Sequence, residues 1–120
     1  MPKRFVILKH DHPFLHWDLL LEEASSARTW RLLRRPCLNE PIAAEPLPAH
    51  RLMYLDYEGP VSNGRGSVQR VLAGMYLIDE ENRSADGTTS LRLQLLDNDF
   101  ARTATISTLA DGRQFVTFAG

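Results

Sequence analysis

Three of the four histidines in this chain fall within seven positions, in the run His10-Asp11-His12-Pro13-Phe14-Leu15-His16-Trp17-Asp18. Alternate side chains of an extended strand share a face, so His16 and Asp18 project the same way and can grip one divalent cation. Pro13 withholds a backbone donor and turns the chain, so His10 has to reach that pair from a neighbouring strand. His12, next to Pro13, reads as turn material. Two imidazoles and one carboxylate suit manganese, zinc or ferrous iron better than calcium or magnesium, which prefer all-oxygen shells. Bunched histidines are also found solvated in loops or hydrogen-bonded in strands, so spacing alone leaves both readings open.

The elements that must hold these residues follow from alternation. Phe5 to His10 reads as a strand with Val6, Leu8 and His10 on one face, and His16 to Glu22 as a second. In the second, Trp17, Leu19 and Leu21 are expected in the core, while His16 and Asp18 face a cavity. Glu23 to Ala27 is a turn into a third strand, Thr29 to Arg34, which stops at Pro36. Pro36 to Pro48 carries four prolines and is expected to be an irregular connection, a candidate wall of a substrate groove. Alternation resumes over His50 to Tyr57, which would put His50 and Tyr54 on a shared strand face. Short strands are then expected at Ser67 to Ala73, Met75 to Asp79, Leu91 to Leu96, Arg102 to Thr108 and Gln114 to Phe118, separated by glycine- and aspartate-containing turns. With about eight strands and no convincing amphipathic helix, the economical architecture is a mainly β, small single-domain antiparallel β-barrel spanning residues 1–120.

Composition bounds the partners. A chain of 120 residues with 43% apolar and 24% charged residues fits one globular domain with one core. The single cysteine, Cys37, cannot form an internal disulfide, and no apolar run is long enough to span a bilayer, so a cytoplasmic setting without a membrane is expected. A net charge of −1 excludes coating nucleic acid by bulk electrostatics, which leaves local contacts. Positive charge is mostly arginine, with Arg28, Arg31, Arg34 and Arg35 around Trp30, and arginine's planar fork matches phosphate oxygens. The segment Gly59 to Gly66 has neither P-loop nor Rossmann spacing.

Residues matched in order across several of these strands carry a resemblance. The run Phe5-Val6-Ile7-Leu8-Lys9-His10-Asp11, then Leu15-His16-Trp17-Asp18 and Leu21-Glu22, then Trp30, His50, Tyr54 and Asp56-Tyr57-Glu58-Gly59, resembles the 3′-phosphoesterase module of bacterial DNA ligase D and its free-standing relatives. The resemblance weakens after Gly66. It implies a β-barrel that binds manganese and trims the 3′ ends of DNA or RNA at breaks, beside a ligase or polymerase of an end-joining system. Family members remove a terminal ribonucleoside and then the remaining 3′-phosphate. Carried over by position, His10, His16 and Asp18 match the metal ligands, and His50 and Tyr54 match residues that contact the scissile phosphate. Arg34 falls where the family has a lysine, and Arg51 and Arg65 are further candidate phosphate contacts.

The departures from that pattern are equally specific. Leu20 replaces a family arginine two residues after the chelating aspartate, and a second arginine is missing near Ile42. Only four residues precede Phe5, so the family's polar N-terminal arm has no counterpart in this sequence. Arg31, Arg35, Arg51 and Arg65 are the cations left to take over. Two other classes stay in view: an end-binding accessory module of the same fold with weak catalysis, and a non-haem iron oxygenase using His16, Asp18 and a distal His50.

Overall fold

The computed structural model describes residues 1–120. Strand β1 (Lys3–His10) forms an antiparallel hairpin with β2 (His16–Glu22), pairing Phe5 with Leu21, Ile7 with Leu19 and His10 with His16. The sheet continues through β3 (Ala27–Leu32) and β4 (Ile42–His50). The chain then makes a 3₁₀ turn, Leu52–Leu55, and the two-residue strand β5, Gly59–Pro60. The last four strands are β6 (Ser67–Arg83), β7 (Thr89–Leu96), β8 (Thr103–Thr108) and β9 (Gln114–Ala119). Their order is β1-β2-β3-β4-β9-β8-β7-β6, and β6 pairs back onto β1, so eight strands close a ring while β5 adds to β6. Every pairing between these strands is antiparallel, as the alternation implied, and closure removes the open edges that a sheet of this size would otherwise expose. No helix is long and apolar enough to cross a membrane.

Each strand of the β1–β2 hairpin is apolar on both faces, and each face has its own cover. Phe5, Ile7, Leu19 and Leu21 point into the barrel, where they join Trp30, Leu32, Leu93, Val116 and Phe118. Val6, Leu8 and Leu20 point outward, and with Ala27, Val68 and Leu55 they form a second buried cluster beneath the 3₁₀ turn. Arg4 fastens that turn to the hairpin: its Nη2 donates to the Leu55 carbonyl at 3.1 Å, and the guanidinium pairs with Asp56. The hydrogen bond from Arg4 holds the Asp56 carboxyl below the usual carboxylate range. This clamp is therefore complete at neutral pH and is lost only as pH falls through that lowered value.

Three sequence expectations are corrected. Ile42–His50 is a regular strand between β3 and β9, not an irregular connection. Leu33 N–H donates to the Ala43 carbonyl, so alternation turns the missing N–H of Pro46 away from β3. On that side β9 pairs only with Ile42, Ala43 and Ala44, and the proline deprives no partner. His50 to Tyr57 is not a strand either; β4 ends at His50 and the chain coils into the 3₁₀ turn. Finally, Gly74 does not separate two strands, because β6 runs unbroken past it, pairing with β1 on one flank and β7 on the other. A Cβ there would lie 2.5 Å from the Leu96 carbonyl oxygen and 2.7 Å from the Phe5 ring, so the bare Cα permits a close approach.

Leu20 is fully buried in the outer cluster, so an arginine is not readily accommodated at this position. Leu20→Arg is expected to destabilise the protein by more than about 3 kcal/mol, from a lost apolar contact and a guanidinium buried without a partner. A urea-denaturation midpoint equal to wild type would show instead that the outer cluster yields.

Candidate functional site

Register explains how the histidine-rich run becomes a site. His10 and His16 are opposite residues of the β1–β2 pair, Asp18 is opposite Leu8, and all three project from the outer face of the barrel. The rings of His10 and His16 meet edge to face with centroids 4.9 Å apart. His10 Nδ1 lies 3.4 Å from one Asp18 oxygen and His16 Nε2 lies 3.1 Å from the other. One ligand atom from each residue falls within 4.8 Å of the other two. The trio thus meets as the spacing implied, with His10 arriving from the neighbouring strand. Two cavities of about 460 and 550 Å³ lie elsewhere, lined by other residues.

Backbone carbonyls set the imidazole tautomers. His16 Nδ1 is 2.8 Å from the Phe14 carbonyl and His10 Nε2 is 2.9 Å from the Arg65 carbonyl. A carbonyl only accepts, so each of these nitrogens carries a proton, and in a neutral ring His16 Nε2 and His10 Nδ1 then present lone pairs towards Asp18. His16 and Asp18 are each 1% exposed, and His16 Nε2 and Asp18 Oδ1 are buried with no hydrogen-bond partner. Acceptors crowded together without a donor are the arrangement that a cation resolves, and a carbonyl behind each imidazole is the usual outer support of a metal-binding histidine. The residues fit a divalent cation.

A loop that the sequence did not connect to the site secures one of those carbonyls. Asp11 Oδ1 accepts from Ser67 N–H at 2.8 Å, and that bond holds the Asp11 carboxyl below the ordinary range. Gly66, at φ +72°, packs against the same carboxylate so closely that a Cβ would lie 2.1 Å from Oδ1. Together they fasten the loop before β6 to the hairpin and hold the Arg65 carbonyl at His10. No local pattern announces a contact between positions more than fifty residues apart.

His50 and Tyr54 come together, although not by sharing a strand. Their rings pack edge to face at 5.9 Å across the junction of β4 and the 3₁₀ turn, and Tyr57 braces Tyr54 from another side at 5.7 Å. Tyr54 and Leu52 rest on the outer cluster that contains Leu8 and Leu20, the neighbours of the trio, so both groups occupy the same outer face. His50 Nδ1 donates to the Pro48 carbonyl at 3.1 Å, which leaves Nε2 available. The Tyr54 hydroxyl is outside the intrachain bonds that tie Tyr57 to Pro60 and Tyr76 to Glu22. The facial-triad alternative needs His50 beside the His16–Asp18 pair; His10 fills that position.

The arginines differ sharply in their freedom. Arg34 donates to the Pro41 carbonyl at 3.0 Å and lies 3.7 Å from Glu40. Arg65 folds back onto Ser62 through two bonds. Arg51 is exposed beside His50, at the start of the 3₁₀ turn. Arg31 is directly opposite Asp18 across the β2–β3 pair, so its side chain leaves the same outer face. Its guanidinium lies over Phe14, whose ring is 5.5 Å from that of His16, and its Nε is buried without a partner. Its one ion pair, with Glu45, is loose at 3.7 Å. Register singles out Arg31 among the cations considered from sequence.

The comparisons with known proteins agree with this geometry. A family model described as "DNA Ligase D 3'-phosphoesterase domain" matches residues 8–106. The "Multifunctional non-homologous end joining protein LigD" of Pseudomonas aeruginosa is 33% identical over 63 residues, covering 51% of this chain and 8% of that protein. The chain therefore spans a small part of that relative's length.

Gly66→Ala is expected to push the Arg65 carbonyl off His10 and weaken manganese binding about tenfold without altering a ligand, as loss of an outer support does. Calorimetric titration with manganese checks this; an unchanged affinity would show that His10 needs no such brace.

Proposed function

Because the chain belongs to the DNA ligase D 3′-phosphoesterase domain family, we propose that it hydrolyses phosphoesters at the 3′ ends of DNA or RNA, using a divalent cation held by His10, His16 and Asp18. The observation that carries this reading is the pair of buried, partnerless acceptors, His16 Nε2 and Asp18 Oδ1, 3.1 Å apart on the face that also bears His50 and Tyr54. Manganese is the first candidate for the cation, with zinc or another transition metal suited to the same ligands. When bound, the metal would polarise a phosphoryl oxygen and lower the pKa of a water.

The chain's own residues supply the rest. His50, with Nδ1–H held by the Pro48 carbonyl, keeps Nε2 available and is the group assigned to protonate the leaving oxygen. Tyr54, braced between two rings, donates its hydroxyl to a non-bridging phosphate oxygen as charge grows there. Arg31 supplies the forked phosphate contact that Leu20 does not offer, from the position on β3 directly opposite Asp18. Phe14 beneath the guanidinium keeps the fork extended over the surface. Arg51 is a further contact to the phosphate next to His50.

The reading makes the 3′ end of a nucleic acid strand the substrate, and a ligase or polymerase of an end-joining system the natural consumer of the 3′-hydroxyl that is left. The test is release of phosphate from a 3′-phosphorylated oligonucleotide with manganese. His50→Ala is expected to lower kcat by at least about a hundredfold, the usual contribution of a positioned acid. Arg31→Lys should chiefly raise KM, because a point charge replaces a fork. Equal rates for wild type and His50→Ala would reject the hydrolase and favour an end-binding accessory module.

A further inference from the structure

We propose that the mouth of the barrel nearest the His10–His16–Asp18 trio is a subsite for the nucleotide that precedes the processed 3′ end, an extension that rests on the phosphoesterase reading. Lys9, Trp17 and Gln69 form one cross-strand row facing into the barrel, and His10 and His16, one position along β1 and β2, form the next row facing out. The two sites thus sit on opposite sides of a single rim. The mouth encloses about 460 Å³, within the range of small-ligand pockets, and its wall includes Lys9, Arg35, Trp17, Gln69 and Phe100. No carboxylate lines it. Neither Lys9 nor Arg35 takes part in the ion pairs that occupy Arg4, Arg31, Arg34, Arg70, Arg92 and Arg113.

Charge and surface complementarity select the occupant. Two uncommitted cations flank a wall built from an indole and a phenyl ring, and Phe100 is backed by the fully buried Phe118 at 5.3 Å, so the aromatic wall is rigid. An aromatic surface for a base beside cations for its phosphates is the combination that holds single-stranded nucleic acid without reading its sequence. The Gln69 amide offers one donor and one acceptor to the base edge. A strand whose terminal phosphate reaches the trio has only the rim to cross before its preceding base meets Trp17.

The experiment is binding of a 5′-labelled, 3′-phosphorylated hexathymidylate, followed by anisotropy with metal omitted so that no turnover occurs. Lys9→Glu/Arg35→Glu is expected to weaken binding by about tenfold. Both side chains are exposed, so the fold is expected to survive; should the variant melt early, Lys9→Gln/Arg35→Gln replaces it. Trp30 is 1% exposed, so quenching of tryptophan emission by the oligonucleotide reports on Trp17. Equal affinity for wild type and variant, or no quenching by a saturating oligonucleotide, overturns the subsite. Manganese-dependent turnover separates the two claims. Hydrolysis with unaltered binding by the variant rejects the mouth and keeps the enzyme, whereas mouth-dependent binding without hydrolysis does the reverse.

Discussion

Two polar atoms, His16 Nε2 and Asp18 Oδ1, are held 3.1 Å apart, buried, with no hydrogen-bond partner. Such an arrangement carries an electrostatic cost unless a positive charge enters, and the surrounding structure enforces it from several directions. The β1–β2 register fixes the separation of the strands, the Phe14 and Arg65 carbonyls fix the imidazole protons, and the loop before β6 fixes the Arg65 carbonyl. A fold that commits this much to keeping acceptors together is preorganised for a cation rather than assembled by one.

The hairpin that carries the trio is also the part of the barrel with the most to bury. Its inner face completes the main core, and closure against β6 depends on the bare Cα of Gly74 beside Phe5. Its outer face is divided between the His10–His16–Asp18 trio at one end and apolar packing towards Arg4, where Leu20 joins Leu55. This division accounts for an apolar side chain at position 20. Position 20 belongs to a small second core that seats the 3₁₀ turn and, with it, Tyr54. Arg31, one strand over and directly opposite Asp18, leaves the same outer face.

Legibility from sequence followed the range of the interactions. The alternation of β2 gave its bounds, its inward Leu19 and Leu21 and the shared face of His16 and Asp18, because a two-residue period is a local property. Ile42–His50 was misread because proline's missing donor matters only where a partner strand lies opposite, and the position of β9 is a tertiary fact. Gly74 was misread as punctuation for the same reason: its neighbours, Phe5 and Leu96, are remote in sequence. The pairing of His50 with Tyr54 was anticipated, but through a shared strand face, whereas the chain leaves β4 at His50 and coils into the 3₁₀ turn that carries Tyr54. Arg31 stood among several arginines until the β2–β3 register set it opposite Asp18.

The central claim is that the buried acceptors of the trio are waiting for a cation rather than paired as an ordinary salt bridge. Asp18→Asn tests it most directly, through manganese titration read together with the melting temperature of the metal-free protein. The account predicts that manganese binding falls by at least about a hundredfold, while the metal-free variant melts at or above the wild-type temperature because an amide N–H can now donate to His16 Nε2. Unchanged manganese affinity, or a metal-free variant that melts well below wild type, would contradict it.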